Sequence, residues 1–369
     1  MKITTSILLL FLLSTSTFSQ STGPWQRPLI QCISQDGINF TGCTLFQDSS
    51  GVPSMTMDSS GRLFSAFQWF PDPFQGPHWD SVAVKISLDS GQTWSLPQPI
   101  VLHNFPSNFQ RPFDPTLVAL PGGDIRIYFS SGPPGMNTIG TYSAIGTDGV
   151  HYTFEQGVRF SQVGRNCIDP AVTIFRDTFH YTSPKGAPQD GAFHAVSTDG
   201  LNFSQVADIS SDAQHNWTGN MMVDSLALKF YGSGGQYMWF SATGNGNVWS
   251  PYQHLNLSGG DPAIIKIPGR NHILIYTGPP VISGLSEVKQ ADNIIVYPNP
   301  VLNTLHVSGI SISGAIKFSI LDINGRLIQH GFLTENKNEI ALMSKSAGLH
   351  LLILETEHGL SQTYFQVLN

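Results

Sequence analysis

Short apolar runs recur between residues 27 and 280, and each run is bounded by Gly, Pro or Asp. Five segments share one pattern: a short apolar strand, a turn, and an aromatic-rich strand, as in DPTLVALPGGDIRIYFSSG. This pattern predicts β-hairpins that form the inner strands of a larger repeat. The five segments begin at Val52, Asp114, Asp169, Asp224 and Asp261.

A second repeat alternates with these hairpins and centres on an acidic turn. It is clearest in SLDSGQTWS (residues 87–95), with relatives SQDGINF, GTDGVHYTF, STDGLNFS and a divergent TGNGNVWS. The acidic position falls at Asp36, Asp89, Asp148 and Asp199, and an amide replaces it at Asn245. Successive spacings of 53, 59, 51 and 46 residues give a period that matches a four-stranded propeller blade.

The order of the two repeats predicts the blade count. One acidic-turn hairpin, at residues 27–45, precedes the first inner pair, and the last inner pair, near residues 261–278, has no such turn after it. We therefore predict an all-β fold with a five-bladed β-propeller over residues 20–280. Its N-terminal strands would complete the last blade, which leaves few exposed sheet edges.

The composition of the chain argues against several classes of binding partner. Only 12% of the residues are charged, and the formal net charge is −7, which argues against nucleic acid or an anionic membrane as a partner. The three cysteines form no Cys-x-x-Cys pair, so neither a metal ion nor another cofactor is expected. Cys32 and Cys43 flank the turn at Asp36 almost symmetrically, and we predict a disulfide between them.

The acidic turns resemble the Asp box of the sialidase-like (BNR repeat) propellers, and the blade count and Asp-Pro starts resemble five-bladed glycoside hydrolases. An Asp in such a turn can accept hydrogen bonds from backbone N–H groups just ahead of it. We therefore predict structural roles for the four box residues Asp36, Asp89, Asp148 and Asp199. The resemblance implies action on a glycan.

Candidate catalytic residues lie where the inner strands are expected to converge on the propeller axis. Asp114, Asp169 and Asp224 are the candidate carboxylates, because glycosidases use one acid to protonate the glycosidic oxygen and another as base or nucleophile. The alternative is that each Asp caps a turn, since Asp-Pro is a common turn signal. Both interpretations stay open at this point.

Substrate-binding candidates lie on two segments that break the repeat, residues 68–80 and 212–220. Their aromatic and polar side chains are typical of sugar sites, although each ring could instead pack between blades. Arginines before two inner strands could hold a substrate carboxylate. The predicted substrate-binding residues are Arg111, Arg165, Asp261, Trp69, His78, Trp79, His215 and Trp217.

The sequence departs from both families. Sialidases carry three substrate-binding arginines and a Tyr/Glu pair, and five-bladed hydrolases usually place a Glu as general acid. Between residues 20 and 280 there is one glutamate, Glu155. Two functions remain: a glycoside hydrolase or sialidase-like enzyme, and a non-catalytic surface propeller that binds glycan or protein.

The chain ends predict export. Residues 1–19 have the Lys, apolar run and small polar residues of a signal peptide, and no later segment has the ~20 apolar residues of a membrane helix. After a linker at residues 281–293, residues 294–369 contain YPNP, D-x-x-G-R and a late G-x-x-L-L within alternating strands. This segment resembles the type A sorting domain of the type IX (Por) secretion system. It implies a small β-sandwich, the type IX machinery as partner, and secretion or attachment to the outer cell surface; a monomer is expected.

Overall fold

The computed structural model describes residues 27–71, 73–279, 295–308, 315–322, 327–334, 338–342, 347–356 and 359–368. The chain divides into two compact units between residues 281 and 282. Strands dominate both units, and the described helical structure is a single 3-10 turn, Pro188–Asp190. In these same ranges, no helix has the length and apolar character needed to cross a bilayer. The predicted signal peptide and linker lie outside the described residues.

The first unit contains five sheets, and four of them are built from strands that follow one another along the chain. The strands are β1 (Leu29–Ser34), β2 (Thr41–Gln47), β3 (Ser50–Met57), β4 (Leu63–Trp69), β5 (Ser81–Ser87), β6 (Gln98–Pro99), β7 (Val101–His103), β8 (Phe113–Ala119), β9 (Ile125–Ser131), β10 (Gly140–Gly146), β11 (His151–Phe160), β12 (Ala171–Phe175), β13 (Thr178–Pro184), β14 (Ala192–Ser197), β15 (Ser204–Gln205), β16 (Asn216–Asp224), β17 (Ala227–Ser233), β18 (Trp239–Thr243), β19 (Gln253–His254), β20 (Gly260–Lys266) and β21 (His272–Thr277).

The fifth sheet joins the two ends of the unit. Its strand order is β2-β1-β21-β20, and β1 pairs with β21 along its whole length, from Leu29 opposite Thr277 to Ser34 opposite His272. A disulfide between Cys32 and Cys43 links β1 to β2. The N-terminal hairpin is therefore hydrogen-bonded to strands that lie more than two hundred residues further along the chain.

One edge strand of each of the five sheets lies beside an edge strand of the next, in cyclic order: β3 contacts β8, then β12, β16 and β20 follow, and β20 contacts β3. A cavity of about 240 Å³ is lined by residues from all five of these strands. Apolar cores fill the spaces between neighbouring sheets, where Phe64 and Phe129 are fully buried. The N-terminal ends of β3, β8, β12, β16 and β20 consequently lie near the central axis of this ring of strands.

Asp224 does not begin an inner strand, and this corrects the sequence prediction. It is the last residue of β16, opposite Ala227 at the hairpin turn, so DSLALKF forms the turn and β17. The prediction aligned this repeat one strand too late because its first strand, NWTGNMMVD, starts without Asp. Asp224 instead forms ion pairs with Lys229 and Lys266, at 3.0 and 2.6 Å.

The second unit has two sheets around one apolar core. Strands β22, β23 and β26 form one sheet, and the order β25-β24-β27-β28 forms the other. The core includes Leu305, Phe318, Leu352 and Phe365, which come from both sheets. The strands are β22 (Ile295–Tyr297), β23 (Thr304–Ser308), β24 (Ile316–Asp322), β25 (Leu327–Leu333), β26 (Glu339–Ala341), β27 (Gly348–Thr356) and β28 (Gly359–Val367).

Candidate functional site

A backbone irregularity recurs at the start of four inner strands. Val52, Asp114, Asp169 and Asp261 have φ values of 49°, 51°, 53° and 46°. In β3, β8 and β20 this residue lies inside a register shift, where a β-bulge re-aims a side chain. A left-handed conformation costs a non-glycine residue about 1–2 kcal/mol. Three of these four positions are aspartates. The strained backbone therefore places carboxyl groups at the starts of the inner strands, near the central axis.

Two of these acids contact each other. The Ser130 hydroxyl and the Asp169 backbone N–H both donate to Asp114 Oδ2, at 3.0 and 3.2 Å. Asp261 lies nearby and accepts from the Thr277 hydroxyl at 3.4 Å.

Burial dominates the electrostatics of this group. It raises the pKa of Asp114 to about 6 against the two hydrogen bonds just described. The pKa of Asp169 is raised by burial and by the charge of Asp114. Burial also raises the pKa of Asp261. The cluster therefore favours protonated carboxyl groups at pH values where exposed aspartates are ionised.

Asp114 borders an open cavity of about 550 Å³ that the sequence did not predict. Gln68 Nε2 donates to Asp80 Oδ1 at 2.6 Å, and Arg111 Nη2 lies 3.5 Å from Asp80 Oδ2. Arg111 Nη1 donates to the carbonyl of Trp79. The cavity is lined by Gly51, Val52, Gln68, Phe70, Asp80, Gln110, Arg111, Pro112, Phe113 and Asp114.

Three of these lining residues belong to the predicted segment at residues 68–80: Gln68, Phe70 and Asp80. Gln68 is part of β4, and the other two follow that strand. Trp79, one of the predicted substrate-binding residues, packs edge to face on Phe70 at 5.4 Å. His78 is exposed on the same loop. Trp69 is packed against the core between two sheets.

The segment at residues 212–220 is not the irregular loop that was predicted, because β16 begins at Asn216. Trp217 is 1% exposed and packs on Phe230 and Trp239, so it has no face available for a sugar. His215 is buried, with Nδ1 2.7 Å from Asp212 Oδ1 and its ring stacked on Tyr252.

Two further charged residues lie apart from the cavity. Arg165 donates to the carbonyl of Lys185 at 3.2 Å and lies over the Phe193 ring. Glu155 forms an ion pair with Arg126 at 2.9 Å and accepts from the Ser143 hydroxyl. In the described ranges, no group of three or more His, Cys, Asp or Glu side chains is placed to hold a metal ion.

The acidic turns have a different environment from the axial acids. Asp36 Oδ1 accepts from the N–H groups of Ile38 and Asn39, both at 2.8 Å. Asp199 repeats this arrangement with the N–H groups two and three residues ahead. Asp148 does the same, and Asp89 accepts from Thr93. The Thr93 hydroxyl and N–H lower the pKa of Asp89 to about 2.

The glycines of these turns connect neighbouring sheets. A Cβ on Gly149 would lie 2.4 Å from a ring carbon of Phe64, in the preceding sheet. Gly200 accepts from the Tyr128 hydroxyl at 2.8 Å, again across to the preceding sheet. An added Cβ would also lie 2.4 Å from a side-chain carbon of Ile273 at Gly91, and 2.4 Å from a ring carbon of His180 at Gly246. The acidic turns thus lie at contacts between sheets rather than at the axis.

Comparison with known proteins identifies the second unit. Residues 295–367 match the family model described as a secretion system C-terminal sorting domain. This match confirms the predicted sorting domain and indicates type IX export, to the cell surface or as a secreted protein. No curated protein matches the chain.

Several solved structures resemble the chain at low identity. A GH43_1 enzyme from Xanthomonas citri, complexed with xylotriose, is 14% identical with a TM-score of 0.47, over 61% of this chain and 80% of that one. A protein of unknown function from Dyadobacter fermentans is 13% identical with a TM-score of 0.45, over 86% and 95%. A thermostable family-43 glycoside hydrolase is 12% identical with a TM-score of 0.44, over 71% and 93%. These similarities are too low to assign an activity.

Proposed function

We propose that the first unit is a five-bladed β-propeller closed by its N-terminal strands. The cyclic contacts among β3, β8, β12, β16 and β20 support this architecture, as does the antiparallel sheet that pairs β1 with β21. The four acidic turns then serve as structural contacts between blades.

We further propose that this propeller hydrolyses a glycan in the cavity beside Asp114. The observation that carries the proposal is a carboxyl group with a pKa raised to about 6, held by a strained bulge at the wall of an open 550 Å³ cavity. Glycosidases need one carboxylic acid that is still protonated near neutral pH to protonate the leaving oxygen.

The roles follow from the contacts. Asp114 donates its proton to the glycosidic oxygen, and the bond from that oxygen to the anomeric carbon breaks. Asp80 is the other carboxylate on the described cavity wall. It either takes a proton from the water that attacks the anomeric carbon, or attacks that carbon itself to form a glycosyl-enzyme intermediate that water then hydrolyses. Burial, and to a smaller extent the charge of Asp261, raises the pKa of Asp114, whereas the backbone N–H of Asp169 lowers it and holds the carboxyl group in place. Asp169 itself does not line the cavity. Arg111 orients Asp80 through their contact at 3.5 Å.

The test uses the full-length protein on a panel of polysaccharides and aryl glycosides. Asp114→Asn keeps the shape of the side chain but cannot donate the proton, so hydrolysis should fall by about 10²–10⁴-fold. Asp224→Asn is the matched control and should hydrolyse normally, because Asp224 lies at the other end of its strand. Normal hydrolysis by Asp114→Asn would refute the proposal.

A second candidate function is glycan binding without cleavage. It is favoured by the hydrogen bonds that Asp114 Oδ2 accepts from the Ser130 hydroxyl and from the Asp169 backbone N–H, because an aspartate with a structural role at a turn makes contacts of this kind. If wild-type protein binds a glycan of the panel and cleaves none, this second candidate is correct.

A further inference from the structure

A second cavity lies beside the first and has a more apolar wall. Its volume is about 350 Å³, and its wall is mostly apolar. The lining residues are Ser81, Val82, Ile100, Leu102, Phe105, Pro106, Ser107, Phe109, Arg111 and Pro112. Arg111 and Pro112 belong to the walls of both cavities, so the two spaces are adjacent across these residues.

Part of the wall of this apolar cavity is aromatic. Phe105 and Phe109 pack edge to face at 5.9 Å, and Phe105 packs the same way on Phe154 at 5.5 Å. Phe109 also contacts Tyr142 at 5.0 Å. Phe105 and Phe109 remain partly exposed although they pack against a buried core. The rings of Phe105 and Phe109 can therefore contact a group that enters the cavity.

The wall chemistry indicates the class of occupant. A sugar ring needs several polar partners, whereas only three of the ten lining residues, Ser81, Ser107 and Arg111, have polar side chains. A dry cavity of about 150 Å³ lined by Leu, Ile and Phe is sufficient for benzene. The present cavity is about twice that size, and its aromatic wall suits a flat ring in offset or edge-to-face contact.

We propose that the apolar cavity is a second subsite that accepts an aryl group attached to the glycan bound beside Asp114. This inference rests on the proposed function, and it narrows the substrate class to glycans or glycosides that carry an aromatic substituent. Arg111 separates the two subsites, with its guanidinium held by the Trp79 carbonyl and Asp80. The sugar lies on the Asp80 side of Arg111, and the aryl group lies on the Phe109 side.

The first experiment tests the cavity alone, with 2-naphthol as the probe and fluorescence titration of the full-length protein. Ser107→Phe places a ring at the rim of the cavity, and Ser107 is exposed, so folding should not change. Ser59→Phe is the matched control, since Ser59 is an exposed turn residue on the β3–β4 hairpin. We expect saturable binding to wild type and Ser59→Phe, and at least tenfold weaker binding to Ser107→Phe. Absence of saturable binding, or equal binding to both variants, would overturn the inference.

The second experiment tests the link to the glycan by comparing 2-naphthyl and methyl glycosides of the same sugars. Burial of an aromatic ring should make the naphthyl compound about 10- to 100-fold tighter, and Ser107→Phe should remove this preference. Equal affinity for the two compounds would show that the cavity is not a subsite. If 2-naphthol binds and is blocked by Ser107→Phe while no glycoside binds or is cleaved, the proposed glycan function fails and the apolar ligand site stands without it.

Discussion

Aspartates recur in two regions of the first unit, and the two sets have opposite environments. The turn aspartates, such as Asp36 and Asp199, are exposed and accept backbone N–H groups, which lower the pKa of each. The axial aspartates, such as Asp114 and Asp169, sit at left-handed backbone positions, and burial raises the pKa of each. Repetition of a residue type therefore does not reveal its role. The role is indicated by the number of hydrogen-bond donors around the carboxylate and by the exposure of the side chain.

We expect the largest loss of stability when an acidic turn is changed at the point where it contacts the neighbouring sheet. Gly149→Ala would place a methyl group against Phe64 at a φ of +82°. The overlap and the left-handed strain together should cost about 2–5 kcal/mol in the free energy of unfolding. Chemical denaturation measures this loss.

Gly61→Ala provides the control for that measurement. Gly61 has almost the same φ, +83°, and no atom lies within 4 Å of the added Cβ. Only the left-handed strain of about 1–2 kcal/mol should appear. Equal losses for the two variants would mean that the acidic turns do not lock neighbouring sheets together.

The pH dependence of stability should separate the axial acids from the turn acids. The pKa of Asp114 in the folded protein, about 6, lies above its ordinary value of 3.8. Its protonated form therefore stabilises the folded state below pH ~4, and this contribution, on the order of 2–3 kcal/mol, is lost as the pH rises to about 6. Asp114→Asn does not titrate, so its stability should not include this loss. The free energy of unfolding of the variant should therefore rise relative to that of wild type between pH 4 and 6.

The difference between the two proteins is the quantity to measure, because other groups titrate in the same window. Burial lowers the pKa of His194 to about 4, so its contribution to stability rises with pH from about 4 to 6.5. The turn acids act at lower pH: the pKa of Asp89 is about 2, and its contribution is lost as the pH falls below about 4. A difference that does not change between pH 4 and 6 would contradict the burial of Asp114.

The smallest expected effect comes from a turn acid alone. Asp199→Ala removes the carboxylate oxygen that accepts the backbone N–H groups of Leu201 and Asn202 at the protein surface, where water replaces it in part. We expect a loss of about 1 kcal/mol or less in unfolding free energy and unchanged hydrolysis. A thermal melt and the glycan assay test both statements. Loss of hydrolysis without loss of stability would place chemistry at the turns.

The sequence by itself determined the features that depend on local pattern. Two interleaved repeats indicated strands, hairpins and acidic turns, because hydrophobic alternation and turn chemistry act over a few residues. The ordered motifs of the C-terminal segment were enough to predict the sorting domain, which the family match confirms. The symmetric placement of Cys32 and Cys43 about one turn likewise anticipated a local pairing, and the structure contains that disulfide.

Only the tertiary structure decided which of the repeated acids meet. The alignment of Asp224 with Asp114 looked sound in sequence, but hydrogen bonding to β17 places it at the opposite end of its strand. The contact between Asp114 and Asp169 spans 55 residues, and Asp80 reaches the same cavity from a third segment. Strand register and the packing of sheets around an axis fix such distances, because one residue of register change moves every side chain to the other face. These long-range pairings have no signal in the local sequence.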